Sequence, residues 1–256
     1  MSGDERAAEG AAEVWLGPIG DVVEQWPVVA TSQRFEGRVW SVHSEDVSSG
    51  SGVVRRDVVR HLGAVAVVVL DSEDRILLIR QYRHPVGMLL AEIPAGLLDV
   101  AGEDPLITGQ RELAEEAGLA ASQWHVLVDF LNSPGGSSEA LRIYLARGVS
   151  AIPGGRPLTG EAEEADLPQA WVPLDEAVGL VLGGNVQNAA AVCGILGAAA
   201  ARAAGWQGLR EPRAPWPARD HLVSSGRVYR VPIAWREGDQ PRGSSQGEPG
   251  QTGSVT

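Results

Sequence analysis

Apolar and polar residues alternate with the period of a β-strand through much of the first quarter of the chain. In residues 26–59 the runs PVVATSQRF, GRVWSVHSEDV and VVRRDVVR follow one another, and a Gly/Ser-rich turn separates the last two. This pattern predicts a small antiparallel sheet. Because such a sheet cannot bury both of its faces alone, we expect it to pack against a second subunit.

A second group of strands begins at residue 64, where AVAVVVL is a dense β-branched run typical of a buried strand. RILLIRQY follows a polar turn as its hairpin partner, and further strands are predicted at residues 88–93, 124–130, 141–146 and 170–173. Helices are predicted at residues 175–182 and 187–204, each followed by glycine. This order predicts an α/β fold, with a mixed sheet covered by helices on both faces.

A third predicted helix lies between these strands and has clear end signals. Asp104 can cap its amino end, Pro105 suits the first helical position, and Gly118 can adopt the left-handed conformation that closes a helix. These signals fix the phase of the helix, and therefore which side chains share a face.

One face of this helix carries three glutamates, Glu112, Glu115 and Glu116, at neighbouring positions. Like charges at this spacing repel, so the cluster is tolerated more readily when a cation lies among the carboxylates. Oxygen-rich sites suit hard divalent cations, above all Mg²⁺. The alternative is a solvated acidic surface paired with Arg111.

Composition narrows the classes of function. A net charge of −12 argues against nonspecific binding to nucleic acid or to an anionic membrane. The single cysteine, Cys193, excludes intramolecular disulfides and fits a reducing compartment, where we expect it to be a small core residue. The amino-terminal residues lack the apolar core of a signal peptide, and no 18-residue apolar span is present, so a cytoplasmic protein is expected.

The same patterns predict five segments. Residues 1–25 are predicted to be weakly structured. Residues 26–60 are predicted to form an antiparallel sheet used for dimerisation, and residues 61–205 the catalytic domain. An Arg/Trp-rich extended segment is predicted at 206–236, and a disordered Gly/Ser/Gln/Pro-rich tail at 237–256.

The glutamate helix and the loop before it resemble the Nudix hydrolase signature. That signature reads glycine, five residues, glutamate, seven residues, then Arg-Glu-apolar-X-Glu-Glu-X-Gly-apolar, and RELAEEAGL matches its second half. Glu103 has the required spacing to Arg111, whereas Gly96 precedes Glu103 by seven residues instead of six. The loop at residues 97–102 therefore holds one extra residue, which a loop can absorb cheaply.

This resemblance implies an α/β/α sandwich and Mg²⁺-dependent hydrolysis of a nucleoside diphosphate, with Mn²⁺ as a possible substitute. It implies a structural role for Glu103 and Arg111. The implied metal ligands are three carboxylates and one backbone carbonyl, from Glu112, Glu115, Glu116 and Ala95. The AGLLD sequence that enters the signature adds Gly96 and Leu98 as substrate contacts.

The general base is sought outside the helix, where it can approach a water molecule from across a cleft. SPGGSSE at residues 133–139 resembles the Ser-Pro-Gly-X-X-X-Glu loop of ADP-ribose pyrophosphatases, so Glu139 is the candidate base or a metal holder, with Glu115 also catalytic. The alternative role for Glu139 is a charged loop tip on a soluble protein. The alternative bases are the acidic residues Glu161, Glu163, Glu164 and Asp166.

Substrate contacts follow from the same resemblance. Arg83, in QYRHP, resembles the Gln-X-Arg element that contacts phosphate. Arg56 is implied to act across a dimer interface, and Phe35 or Trp40 to stack on adenine. The alternatives are a surface arginine for Arg83 and plain core positions for Phe35 and Trp40.

The predicted reaction is therefore hydrolysis of ADP-ribose to AMP and ribose 5-phosphate by a homodimer. Another nucleoside diphosphate sugar, such as GDP-mannose or ADP-glucose, is the alternative substrate. A non-catalytic ADP-ribose sensor and an acidic interaction protein are the alternatives from other classes, although the sensor would be expected to carry a damaged signature.

Overall fold

A computed structural model describes residues 17–156 and 167–230 of the chain. Three predicted features therefore lie wholly or partly outside the described residues. They are the amino-terminal segment up to residue 16, the acidic run at 161–166, and the carboxy-terminal residues 231–256.

The amino-terminal strands form the predicted antiparallel sheet, in the order β1-β2-β3. Its strands are β1 (Val28–Glu36), β2 (Trp40–Ser49) and β3 (Gly52–His61). Every residue of β1 is exposed, including Val29 and Phe35. The described part of the chain therefore leaves apolar side chains of this sheet exposed.

The central sheet is mixed, because β4 and β9 run parallel and the other neighbours run antiparallel. Its strands stand in the order β7-β4-β9-β8. They are β4 (Ala64–Val69), β7 (Ala95–Leu97), β8 (Leu119–Asn132) and β9 (Glu139–Ala151). All six residues of β4 are buried, as a parallel strand covered on both faces requires.

A third sheet has the strand order β10-β5-β6. Its strands are β5 (Arg75–Arg83), β6 (Met88–Glu92) and β10 (Gln169–Pro173), and a short 3₁₀ turn, His84–Val86, joins β5 to β6. All of its pairs are antiparallel.

Helices cover the central sheet on both faces, as the sequence predicts. They are α1 (Pro105–Ala117), α2 (Leu174–Leu182), α3 (Ala189–Ala203) and α4 (Pro217–Ser224). One core packs α1 against Val65, Val67 and Tyr144, and the other packs α2 and α3 against Val68 and Ile143. Because neighbouring strand residues fall in different cores, strand alternation identifies the face on which each side chain lies.

The ends of α1 match the sequence signals. The side chain of Asp104 accepts the N–H of Leu106 at 2.9 Å, Pro105 begins the helix, and Gly118 closes it with φ +68°. Cys193 packs at the edge of the α3 core, and burial raises the pKa of its thiol.

The carboxy-terminal segment differs from the extended chain predicted for it, because α4 lies within it. Pro217 supplies the helix-start signal, at the first position of α4. Trp216 is 5% exposed and lies under the guanidinium of Arg142, which donates to the carbonyls of Ala214 and Pro215 at 2.8 and 3.0 Å. The segment therefore covers the core on the α1 side. No helix among the described residues has the length and apolar character to cross a membrane.

Candidate active site

Gly96 in β7 makes room for the carboxylate of Glu112. A Cβ atom built on Gly96 would lie 2.1 Å from both Cδ and Oε1 of Glu112. Only glycine leaves space for this close approach of side chain to backbone. Glu112 is 6% exposed, so its carboxylate is held between α1 and the backbone of β7.

Glu116 lies one helical turn further along and is also tied to β7. Its Oε2 accepts the backbone N–H of Ala95 at 2.9 Å, and its backbone carbonyl accepts the side-chain amide of Gln169 at 3.1 Å. Glu116 is 2% exposed. Because burying a carboxylate is costly unless it is hydrogen-bonded or paired, these contacts fix where its charge lies.

Arg111 binds the acidic cluster from its flank. Its guanidinium donates to Glu112 at 2.7 Å and to Glu115 at 3.1 Å, and it meets Glu103, the predicted partner, at 3.4 Å. Thr108 donates to Glu103 at 2.7 Å. Burial acts to lower the pKa of Arg111, but the three carboxylates outweigh it and raise that pKa above its ordinary value.

The carboxylates of Glu112, Glu115 and Glu116 are the donors available to a divalent cation. Among the described residues, no three acidic, histidine or cysteine side chains converge as a ready-made metal cluster. The donors present are nevertheless of the right type. Two buried carboxylates on one helical face, beside a peptide segment and a third carboxylate at Glu115, form an oxygen-only set that suits Mg²⁺.

Arg83 ends β5 and forms a two-point ion pair that the sequence analysis missed. Its Nε and Nη2 atoms donate to the two carboxylate oxygens of Glu92 at 2.8 and 2.7 Å. Glu92 is 2% exposed. The sequence does contain a sign of this pair, because Glu92 is the only charged residue in the apolar run MLLAEI. An acid in a buried strand needs a partner, since fully buried acids are nearly always paired.

Glu139 begins β9, and its side chain is held by two neighbours. Asn132 donates to its Oε2 at 2.7 Å, and Nδ1 of His61 lies 3.7 Å from its Oε1. That Nδ1 also accepts the N–H of Gly63 at 3.0 Å. Burial lowers the pKa of His61, and the charge of Glu139 opposes that shift.

Strand alternation places Glu139 on the face opposite α1. In β9, Leu141 and Ile143 belong to the α3 core, whereas Ala140 and Tyr144 belong to the α1 core. Glu139 shares the odd-numbered face with Leu141. The strand thus directs Glu139 away from the glutamates of α1 within the same chain.

The remaining substrate-contact candidates are spread over the structure. Phe35 and Trp40 lie 5.1 Å apart between ring centroids on the amino-terminal sheet, and both are exposed. Arg56 in β3 lies opposite Glu45 in β2, so the two side chains share a face of the sheet. Strand alternation places Glu45, and therefore Arg56, on the face opposite Trp40. Leu98 has its side chain in the α1 core, and its N–H donates to the carbonyl of Gly63 at 3.1 Å.

Arg56 lines a cavity of about 420 Å³ on its own face of the amino-terminal sheet. Trp26 and Glu45 line the same cavity, together with Arg227 from the segment after α4. The carboxylate of Glu45 forms two ion pairs. Its Oε1 lies 2.7 Å from Nη2 of Arg60, and its Oε2 lies 3.9 Å from Nη1 of Arg227. This cavity therefore brings aromatic and cationic side chains together around a buried acid.

A comparison with protein-family models matches residues 60–192 to the NUDIX domain. The chain belongs to the Nudix family. The matched range contains the glutamates of α1, Gly96 and Glu139, and it begins at the end of β3.

Relatives and a solved structure agree with this membership. The Nudix protein is 45% identical over 169 residues to the ADP-ribose pyrophosphatase of Mycobacterium tuberculosis, covering 66% of this chain and 80% of the relative. It is 40% identical over 151 residues to the methanol dehydrogenase activator of Bacillus methanolicus, covering 59% and 80%. A crystal structure of an ADP compounds hydrolase superposes with a TM-score of 0.57 at 22% identity, over 82% of this chain and 100% of that one, which supports the α/β fold.

Proposed function

We propose that this Nudix hydrolase cleaves the diphosphate of ADP-ribose with Mg²⁺, giving AMP and ribose 5-phosphate. The observation that carries the proposal is the pair of buried carboxylates, Glu112 and Glu116, held against the backbone of Gly96 and Ala95. The 45% identity to a protein named ADP-ribose pyrophosphatase supports the choice of substrate.

A bound divalent cation supplies charge neutralisation of the phosphoryl oxygens and activation of a water molecule. Glu112, Glu115 and Glu116 would hold it, with the carbonyl of Ala95 as a further ligand. Arg111 keeps the carboxylates of Glu112 and Glu115 in place from the flank.

Arg83 would bind a phosphate of the substrate. A guanidinium presents planar, forked donors that match phosphate oxygens, and the Arg83 side chain is 42% exposed. Its partner Glu92 lies three residues before Ala95, whose N–H binds Glu116. The cation and Arg83 would therefore neutralise the diphosphate from two directions.

The substrate is tested by measuring kcat/KM with Mg²⁺ for ADP-ribose, ADP-glucose and GDP-mannose side by side. ADP-ribose should give the highest value. A higher value for either nucleotide sugar would identify that sugar as the preferred substrate. Binding of ADP-ribose without turnover would instead indicate a sensor.

The candidate base, Glu139, lies on the face of the central sheet opposite α1. We assign it the base role, acting around the end of the sheet or from a second subunit, with the acidic run at 161–166 as the alternative. Glu139→Gln should lower kcat more than it weakens ADP-ribose binding, since it removes a proton acceptor and keeps the hydrogen bond from Asn132.

The matched comparison for this experiment is the pair Glu163→Gln and Glu164→Gln, which changes charge in the same way. If Glu139→Gln affects only affinity while one of these variants removes turnover, the base belongs to the acidic run.

A homodimer with shared sites is the second part of the proposal. Phe35 and Trp40 occupy one face of the amino-terminal sheet and Arg56 the other. One chain therefore cannot bring the aromatic pair and Arg56 to the same adenine, whereas two copies can each contribute one side. The fully exposed strand β1 provides apolar surface for such an association.

Light scattering at micromolar concentration should give twice the 27.0 kDa mass of one chain. Val29→Glu places a charge on β1, where Val29 is 60% exposed, and should shift the protein towards the monomer. Leu182→Glu, at a position 77% exposed on α2, is the matched control and should leave the mass unchanged. A monomeric wild-type protein would contradict the shared site.

A further inference from the structure

We infer that Glu92 is a positioning residue that sets the orientation of Arg83 for binding the substrate diphosphate. The inference rests on the proposed function in one respect, because it takes the ligand of Arg83 to be a diphosphate. The ion pair itself is independent of that function.

The register of the β5–β6 hairpin shows how far the two side chains reach. Arg83 lies opposite Met88, whereas Glu92 lies opposite Ile79, four residues back along β5. Four residues of an antiparallel strand span about 13 Å. A two-point contact at 2.7 and 2.8 Å across that interval requires the side chain of Arg83 to lie back along the hairpin.

This folded-back direction leads towards the glutamates of α1. Leu77 belongs to the core on the α1 side, so alternation places Ile79 and Arg83 on the same face. Gln169 lies opposite Ile79 in the neighbouring strand, and its side chain donates to the carbonyl of Glu116. The row of residues that contains Glu92 therefore adjoins the carboxy-terminal turn of α1.

The residues after Glu92 connect it to α1 by a second, independent route. Ala95 is three residues further on, a distance of at most about 11 Å along an extended chain, and its N–H binds the carboxylate of Glu116. The guanidinium of Arg83 is thus connected through Glu92 to the chain segment that contains Ala95, and Ala95 binds the candidate metal ligand Glu116.

The burial of the two partners indicates which one serves the other. The side chain of Glu92 is 3% exposed and that of Arg83 is 42% exposed. A bidentate carboxylate fixes the plane of a guanidinium, which otherwise loses considerable rotamer freedom when it binds an anion. Glu92 therefore orients Arg83 before the substrate arrives, and the exposed part of the guanidinium meets the diphosphate.

A purely electrostatic role and a positioning role of Glu92 predict opposite effects on anion binding, so an experiment can distinguish them. Glu92→Gln removes a negative charge beside Arg83, so a purely electrostatic role would strengthen anion binding. A positioning role predicts that the same variant weakens it. Glutamine keeps one acceptor and nearly the same volume, so the variant should stay folded.

The experiment is a double-mutant cycle of Glu92→Gln and Arg83→Lys, measured with two probes. With ADP-ribose and Mg²⁺, Glu92→Gln should raise KM about tenfold and change kcat less than about threefold. In the Arg83→Lys background, which keeps the charge and loses the fork, it should change KM less than about twofold. Glu73→Gln is the matched control, because Glu73 is an exposed glutamate paired with Arg75, and its KM should equal that of the wild type.

The second probe is methylenediphosphonate with Mg²⁺, whose binding by calorimetry requires no turnover. Its affinity should follow the same cycle. If the wild type fails to cleave ADP-ribose but the diphosphonate cycle shows coupling, the proposed function fails and the inference about Glu92 stands. An equal effect of Glu92→Gln in both backgrounds, or tighter binding by that variant, would overturn the inference.

Discussion

Replacing Glu116 by glutamine should lower the kcat for ADP-ribose by about 100- to 1,000-fold, because a metal site contributes several kcal/mol of transition-state stabilisation and each 1.4 kcal/mol is a factor of ten. Glutamine still presents an oxygen to the N–H of Ala95, which Glu116 now binds at 2.9 Å. The variant therefore keeps the local structure and loses only the negative charge. Steady-state AMP release and the thermal unfolding midpoint are the two measurements.

The matched control for this variant is Glu176→Gln, a glutamate on the exposed face of α2. Its activity should equal that of the wild type. Near-normal turnover by Glu116→Gln, with the control also normal, would exclude Glu116 as a metal ligand.

Gly96→Ala should lower kcat by about 100-fold without unfolding the protein, since a displacement of about 1 Å at a catalytic group can have that effect. The new methyl group would lie 2.1 Å from the carboxylate carbon of Glu112. The end of a flexible side chain moves more easily than the backbone of β7, so Glu112 should be displaced. Activity should fall far more than the free energy of unfolding.

Gly179→Ala tests whether the loss is specific to the site. Among the described residues, no heavy atom other than those of its chain neighbours and the nearby helix backbone lies within 4 Å of a Cβ at Gly179 in α2, and alanine is the better helix former there. This control should keep full activity and gain slight stability. Normal turnover by Gly96→Ala would mean that the position of Glu112 against β7 is irrelevant to catalysis.

The part of the site that could be predicted from the sequence is the part encoded locally. Asp104, Pro105 and Gly118 fix the ends of α1, and the helical period then places Glu112 and Glu116 on one face. The extra loop residue after Gly96 did not matter, because β7 still brings Gly96 against Glu112. The spacing of residues along one helix was sufficient to predict that Glu112 and Glu116 share a face.

The remaining features depend on strand register, which connects residues far apart in the sequence. The pairing of Glu92 with Arg83 needs the β5–β6 register, and the opposite faces of Arg56 and Trp40 need that of β2 and β3. The direction of Glu139 likewise follows from which β9 residues enter each core. A shift of one residue would reverse each of these faces, so periodicity alone could not decide them.

Within the segment 206–236, the prediction of an extended chain is wrong at α4, Pro217–Ser224, for a different reason. The proline content of the segment suggested an extended chain, yet Pro217 starts α4, and Trp216 packs under Arg142. Proline is compatible with both structures, and tertiary packing decided between them.

The most direct test is the identification of products after ADP-ribose is incubated with the wild-type protein, with Mg²⁺ and with a chelator. We predict equal amounts of AMP and ribose 5-phosphate with Mg²⁺, and intact ADP-ribose with the chelator. Intact ADP-ribose under both conditions, or cleavage that persists without metal, would contradict the proposed site at Glu112 and Glu116.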